Sequence, residues 1–201
     1  MPVDDAAETA AEAEDRPYSP FNVATDMPSQ TNHAEADRNH YWLGRILVLH
    51  LANQILYIGP HWYCSILMLM FILGVGFFHC STVAGAGALQ LSGGLAVTLL
   101  SLYTFLRCAL ADPGILQKSP EGEDQLPSVR ARTCGICQIV QPRGCQHCHF
   151  CQVCVEGYDH HCPWMGKCIG KKNLCAFYTF LTVAFSSLGY IMISALAQPP
   201  T

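Results

Sequence analysis

The chain has 201 residues, 51% of them hydrophobic and 13% charged, with a formal net charge of −4 and a mean hydropathy of +0.23. That balance excludes an ordinary soluble domain and points to a chain held largely in membrane. The charge says little about partners: most of the acidic residues fall within the first forty positions, and the remainder is mildly basic.

Residues 1–40 are rich in Ala, Glu, Asp, Ser and Pro without apolar periodicity, which predicts a disordered acidic tail. Residues 41–61 read as an interfacial segment. Within it, Ile46–Ile58 is apolar but too short to span, and His50, Asn53, Gln54 and Tyr57 form one polar stripe at i, i+3, i+4, i+7 spacing. The expected element is an amphipathic helix lying in the membrane surface and ending at Gly59-Pro60.

Three uncharged or nearly uncharged stretches follow at 62–83, 88–110 and 174–197, each long enough to cross the hydrocarbon core as a helix. Arg107 falls near the end of the second, where a guanidinium can snorkel to the interface. Arg16, Arg38 and Arg45 precede the first span, the other cations lie between Arg107 and Lys172, and none lies in 62–106 or 174–201. By the positive-inside rule the amino-terminal tail and the loop 111–173 face the cytosol. The expected architecture is an α-helical polytopic membrane protein carrying a cytosolic, two-zinc, cysteine-rich domain of small β-hairpins and loops.

That loop carries most of the twelve cysteines, in the spacing Cys134-x2-Cys137-x9-His147-Cys148-x2-Cys151-x2-Cys154-x6-His161-Cys162-x5-Cys168. No cleavable signal precedes it. Knuckle pairs with intervening histidines suit tetrahedral Zn²⁺ in a reducing compartment better than a disulfide framework. Eight donors would close two sites, so one of the nine candidates is spare. Spacing does not say which, and Cys145 and His149 add further choices.

Local chemistry favours Cys162 as the spare thiol. His160 can accept its proton, Asp159 can fix the imidazole tautomer, and in an extended stretch His161 would face the other way and be free to bind metal. The structural alternative places Asp159, His160 and Cys162 all in the zinc scaffold, with Asp159 supporting a ligating histidine. A nucleic-acid module is not supported, because 112–173 holds seven Lys/Arg against six Asp/Glu and no basic stripe.

These residues resemble the DHHC-type protein S-acyltransferases over roughly 134–177. The resemblance rests on Cys134-x2-Cys137, Pro142, His147-Cys148-x2-Cys151-x2-Cys154, Asp159-His160-His161-Cys162-Pro163-Trp164, Cys168-Ile169-Gly170, Asn173 and Phe177. Asp112-Pro113-Gly114 after the second span looks like the family's Asp-Pro-Gly motif. The resemblance implies one zinc site from Cys134, Cys137, His147 and Cys154 and another from Cys148, Cys151, His161 and Cys168. It further implies Cys162 as the acylated nucleophile, His160 as general base and Asp159 as its orienting partner, with long-chain acyl-CoA, typically palmitoyl-CoA, as donor in a two-step reaction. The implied partners are the bilayer and cytosolic-face proteins with membrane-proximal cysteines, and the implied location is an endomembrane (Golgi or ER) or the plasma membrane.

The sequence departs from the family pattern at Gln141 and Gly144, with Arg143 shifted by one place, and at Lys167, where the family usually has Asn. Arg143 and Lys171-Lys172 are candidates to face anionic headgroups or CoA phosphates. The family ordinarily has a fourth span, so the sequence reads as truncated before it. The alternative function is accordingly a zinc-stabilised membrane adaptor or an inactive fragment of such an enzyme.

Overall fold

The computed structural model describes residues 39–83, 85, 87–117 and 132–197. The tail expected to be disordered lies outside the described residues except for Asn39 and His40, as does the ending 198–201.

Among the described residues, three helices are long and apolar enough to cross a membrane: α1 (Trp62–Val83), α2 (Ala88–Leu110) and α3 (Leu174–Leu196). In lipid the helices gain no hydrophobic attraction from one another, so their association depends on close packing and polar contacts. Both are present on α2, which packs against each of the other two. Gly93 leaves room for the Tyr190 ring of α3, and Gly94 for the His79 ring of α1, because a Cβ would stand 2.2 Å from the Tyr190 hydroxyl and 2.7 Å from His79 Cδ2. Ser101 of α2 and Ser187 of α3 share a buried hydrogen bond of 3.0 Å, and nearby the Phe105 and Phe180 rings lie 5.5 Å apart.

The segment before α1 corrects the expectation of a helix. Ile46–Ile58 is not an amphipathic helix but part of a three-stranded antiparallel meander, β1 (His40–Leu43), β2 (Ile46–Leu51) and β3 (Gln54–Ile58). The physical reason is a period of two that the polar stripe concealed. Ile46 and Val48 alternate with Leu47 and Leu49, and both β-branched residues are fully buried, the pattern of a strand with one face in a core. Asn53 and Gln54 belong to the tip of a hairpin in which Leu51 pairs with Gln54 across Ala52, itself at φ 45°. Polar residues at a hairpin tip and polar residues on one helical face produce the same spacing here.

Between α2 and α3 the described residues form three short hairpins: β4 (Arg132–Thr133) with β5 (Val140–Gln141), β6 (Gln146–Cys148) with β7 (Val153–Val155), and β8 (His160–Cys162) with β9 (Lys167–Ile169). Such brief strands bury little apolar surface of their own. The meander supplies some of the deficit, since Ile46 and Val48 share a core with Ile115, Cys148, Cys151, Val153, Val155 and Cys168. The root of this domain is tied at both ends. Asp112 Oδ1 accepts from the Gly114 and Ile115 amides at 2.8 and 3.0 Å, and Lys172 Nζ donates to its Oδ2 at 2.7 Å, joining the end of α2 to the start of α3.

Candidate metal centres and reactive strand

Alternation along the hairpins sorts the cysteines and histidines. His147 and Cys148 are neighbours on β6 and therefore point to opposite faces. His147 pairs across to Cys154 on β7, and on one side these two meet Cys134 and Cys137; on the other, Cys148 and Cys151 meet His161 and Cys168, which pair with each other across β8 and β9. In each group the four donor atoms all lie within 4.8 Å of one another. We call the groups site A (Cys134, Cys137, His147, Cys154) and site B (Cys148, Cys151, His161, Cys168).

Their dimensions fit zinc. Bond lengths of about 2.3 Å to sulfur and about 2.05 Å to nitrogen in a tetrahedron require S···N edges of about 3.6 Å and S···S edges of about 3.8 Å. At site A, His147 Nδ1 lies 3.2 Å from Cys137 Sγ and 3.9 Å from Cys154 Sγ. At site B, His161 Nδ1 lies 3.5, 3.4 and 3.7 Å from the sulfurs of Cys148, Cys151 and Cys168, and the last two sulfurs are 3.5 Å apart. Each group thus offers three thiolates and one imidazole, the soft and borderline donors that suit Zn²⁺. Cys145 packs beside site A and His149 lies edge-on to His147, both outside the four-donor sets.

The sequence reading missed that the two knuckles are built alike. Cys134-Gly-Ile-Cys137-Gln138 and Cys148-His-Phe-Cys151-Gln152 each bend so that the second cysteine's amide donates to the first sulfur at 3.4 Å. The glutamine that follows takes φ 54° or 56°, and its Nε2 donates to the carbonyl three residues back at 2.6 Å. The repeated Cys-x-x-Cys-Gln was the available signal.

The β8 strand carries the remaining candidates. His160 and Cys162 stand on one face and His161 on the other, toward site B. The His160 Nδ1–H donates to Asp159 Oδ2 at 2.9 Å, with both side chains roughly half exposed, and the ring lies edge-on to Phe177. Cys162 is 7% exposed and belongs to an apolar cluster with Phe105, Cys108, Met165, Ile169 and Phe180 at the membrane helices. Burial pushes the Cys162 thiol above its ordinary value, while the amides of Met165 and Trp164, in the 3₁₀ turn Pro163–Met165, pull it partly back. Among the described residues His160 and Cys162 share no hydrogen bond. The structure brings Asp159 to His160, and Cys162 lies on the same face of β8 as His160.

Two further side chains fix this strand. Asn173 is fully buried; its Oδ1 accepts from the Gly170 amide at 2.9 Å and its Nδ2 donates to the Cys168 carbonyl at 3.1 Å, closing the turn after β9. Lys167, opposite Cys162 in the hairpin, is also fully buried and donates to the carbonyls of Tyr57 on β3 (2.7 Å) and Ala109 at the end of α2. Burial lowers its pKa to about 7, against the attraction of Cys108 and Asp112. Lys171 and Lys172, candidates for anion binding, instead pair with Glu156 at 2.5 Å and Asp112 at 2.7 Å.

The last contributor comes from the far side of α1. Gly59 passes so close to the β8–β9 turn that a Cβ would stand 2.1 Å from the Gly166 carbonyl, a spacing only glycine permits. This approach sets His61, whose amide donates to Gly166 O at 3.1 Å and whose Nδ1 lies 2.7 Å from His161 Nε2.

Membrane-capable helices around a cysteine-rich domain with two groups of four donors that could each hold a metal define the class: a polytopic membrane protein with a metal-binding-capable domain. Residues 128–198 match the model of the DHHC palmitoyltransferase family. Palmitoyltransferase ZDHHC5-B of Danio rerio is 34% identical over 102 residues, covering 43% of this chain and 16% of that protein. Palmitoyltransferase ZDHHC9 of Homo sapiens is 32% identical over 128 residues, covering 47% of this chain and 35% of that protein. Over these residues the chain is similar to the DHHC family, and its match spans about a third or less of the curated relatives' own length.

Proposed function

We propose that the chain is a protein S-palmitoyltransferase that carries the acyl group as a thioester on Cys162. The observation that carries this reading is the β8 strand, which gives His160 and Cys162 one face and His161 the other, with Asp159, just before the strand, hydrogen-bonded to His160. Asp159 accepts from Nδ1 of His160 and so leaves Nε2 of that ring as the basic nitrogen. The burial that raises the Cys162 thiol makes a base necessary, since the thiol does not ionise unaided at neutral pH.

In the first half-reaction His160 Nε2 takes the Sγ proton of Cys162, and the thiolate attacks the thioester carbonyl of palmitoyl-CoA. The carbon–sulfur bond to CoA breaks, and the CoA thiolate leaves with the proton held by His160. In the second, a substrate cysteine gives its proton to His160 and attacks the acyl-Cys162 thioester, restoring the Cys162 thiol. Zinc at sites A and B would hold the hairpins in register and takes no part in these transfers. The apolar cluster around Cys162, with Phe105 and Phe180 from α2 and α3, offers the acyl chain a path toward the bilayer. We place the domain at the cytosolic face, where acyl-CoA and membrane-proximal cysteines of other proteins are both available.

The test is covalent labelling of the purified, detergent-solubilised chain with an alkyne analogue of palmitoyl-CoA. Wild type should acquire hydroxylamine-sensitive label, Cys162→Ser should acquire none, and His160→Ala should label about 10²–10⁴-fold more slowly. Undiminished label on Cys162→Ser would remove Cys162 from the mechanism.

A further inference from the structure

Among the described residues, site B has a histidine as its outer neighbour and site A does not. At both sites the imidazole meets the sulfurs through Nδ1, so Nε2 is left on the outside, carrying the ring proton when Nδ1 holds a metal. For His147 at site A that nitrogen is buried and makes no hydrogen bond within geometric limits among the described residues, the Gln152 side chain being a polar group that acts on the ring. For His161 at site B it lies 2.7 Å from Nδ1 of His61. A donor at His161 Nε2 requires a lone pair at His61 Nδ1, which fixes His61 as the tautomer protonated on Nε2.

Nothing about this contact is loose. His61 is anchored by its own amide on Gly166 and by its carbonyl, which accepts from Cys64 in the first turn of α1 at 2.9 Å. The His61 and His161 rings lie 4.9 Å apart at 70°, and Phe150 closes the set, 5.6 Å from His61 and 4.8 Å from His161.

We propose that His61 is the outer-sphere partner of metal site B: it accepts the Nε2 proton of His161, holds that ring square to the three sulfurs, and makes site B retain its metal more tightly than site A. Because His61 sits at the head of α1, it also ties the metal site to the point where the chain meets the membrane. His61 is a positioning residue, acting through His161, and the inference depends on metal at site B rather than on acyl transfer.

The experiment uses the full chain in detergent micelles, with zinc content measured first and then a chelator challenge. Freed thiols are trapped with N-ethylmaleimide and located by mass spectrometry, so that release from Cys134, Cys137 and Cys154 is read separately from release at Cys148, Cys151 and Cys168. In wild type the site A thiols should be trapped before those of site B. His61→Ala and His61→Phe should both speed release at site B about 10–100-fold with site A unchanged. His61→Asn, which keeps an acceptor at a similar position, should restore most of the retention. Site B release unchanged in the Phe variant would overturn the hydrogen-bond role, as would Asn behaving like Phe; if His61→Ala does not fold, the Phe and Asn variants still decide. A wild-type chain that binds no zinc would overturn this inference along with the metal reading, while the labelling of Cys162 would stand as a separate result.

Discussion

The two metal sites are made from the same donors on opposite faces of one hairpin, yet their surroundings differ. Site A is bounded by the β4–β5 and β6–β7 hairpins, and its small core consists of Ile139 with Leu116 and Cys145 packed against it. Site B sits in the larger core that includes Ile46, Val48, Val153 and Val155, and it backs directly onto the strand bearing Cys162. A metal site is thus only as firm as what surrounds it: the donors are matched, and the apolar cover and outer hydrogen bond are not.

The largest test of this contrast exchanges one ligand at each site. Cys168→Ser should disorganise the β8–β9 hairpin, lose zinc from site B and abolish acyl labelling of Cys162. Cys137→Ser should lose one zinc and keep the other with measurable labelling; equal collapse of both variants, by zinc content and hydrogen exchange over 146–169, would show that the two sites stand or fall as one. A smaller effect is expected from the cover. Ile46→Ala removes a fully buried side chain at no ligand position and should cost about 2–5 kcal/mol, read by thermal unfolding, with the loss felt at site B thiols and not at site A. The smallest belongs to Lys167→Met, which strips two carbonyls of their donor while relieving the cost of a buried amine. These oppose each other, and a net loss of about 1 kcal/mol is expected with both zinc ions retained.

What was legible in the sequence was whatever is written locally. The three apolar stretches announce helices by length alone, and the cysteine–histidine spacing announces metal because ligand pairs must be close in the chain to make a knuckle. The meander was misread because His50, Asn53, Gln54 and Tyr57 fit a helical face as well as a hairpin tip, and because what burial of Ile46 and Val48 depends on lies far along the chain. His61 and Lys167 were missed for the same reason. Their partners are 100 and 110 positions away, and neither residue type advertises an outer-sphere acceptor or a tie between carbonyls. The Lys171-Lys172 pair looked available for anions because sequence shows a charge and not its nearest neighbour.

The placing of the meander ahead of α1 has a consequence for the order of events during synthesis. Its inward residues emerge from the ribosome before α1, but Cys148, Cys151 and Val153, on which they pack, follow only after α1 and α2 have been made. A sheet of three strands with one apolar face must therefore wait, uncovered, beside a membrane that is already being threaded. Burial of its apolar face is a late step, reached only when 148–155 has been made.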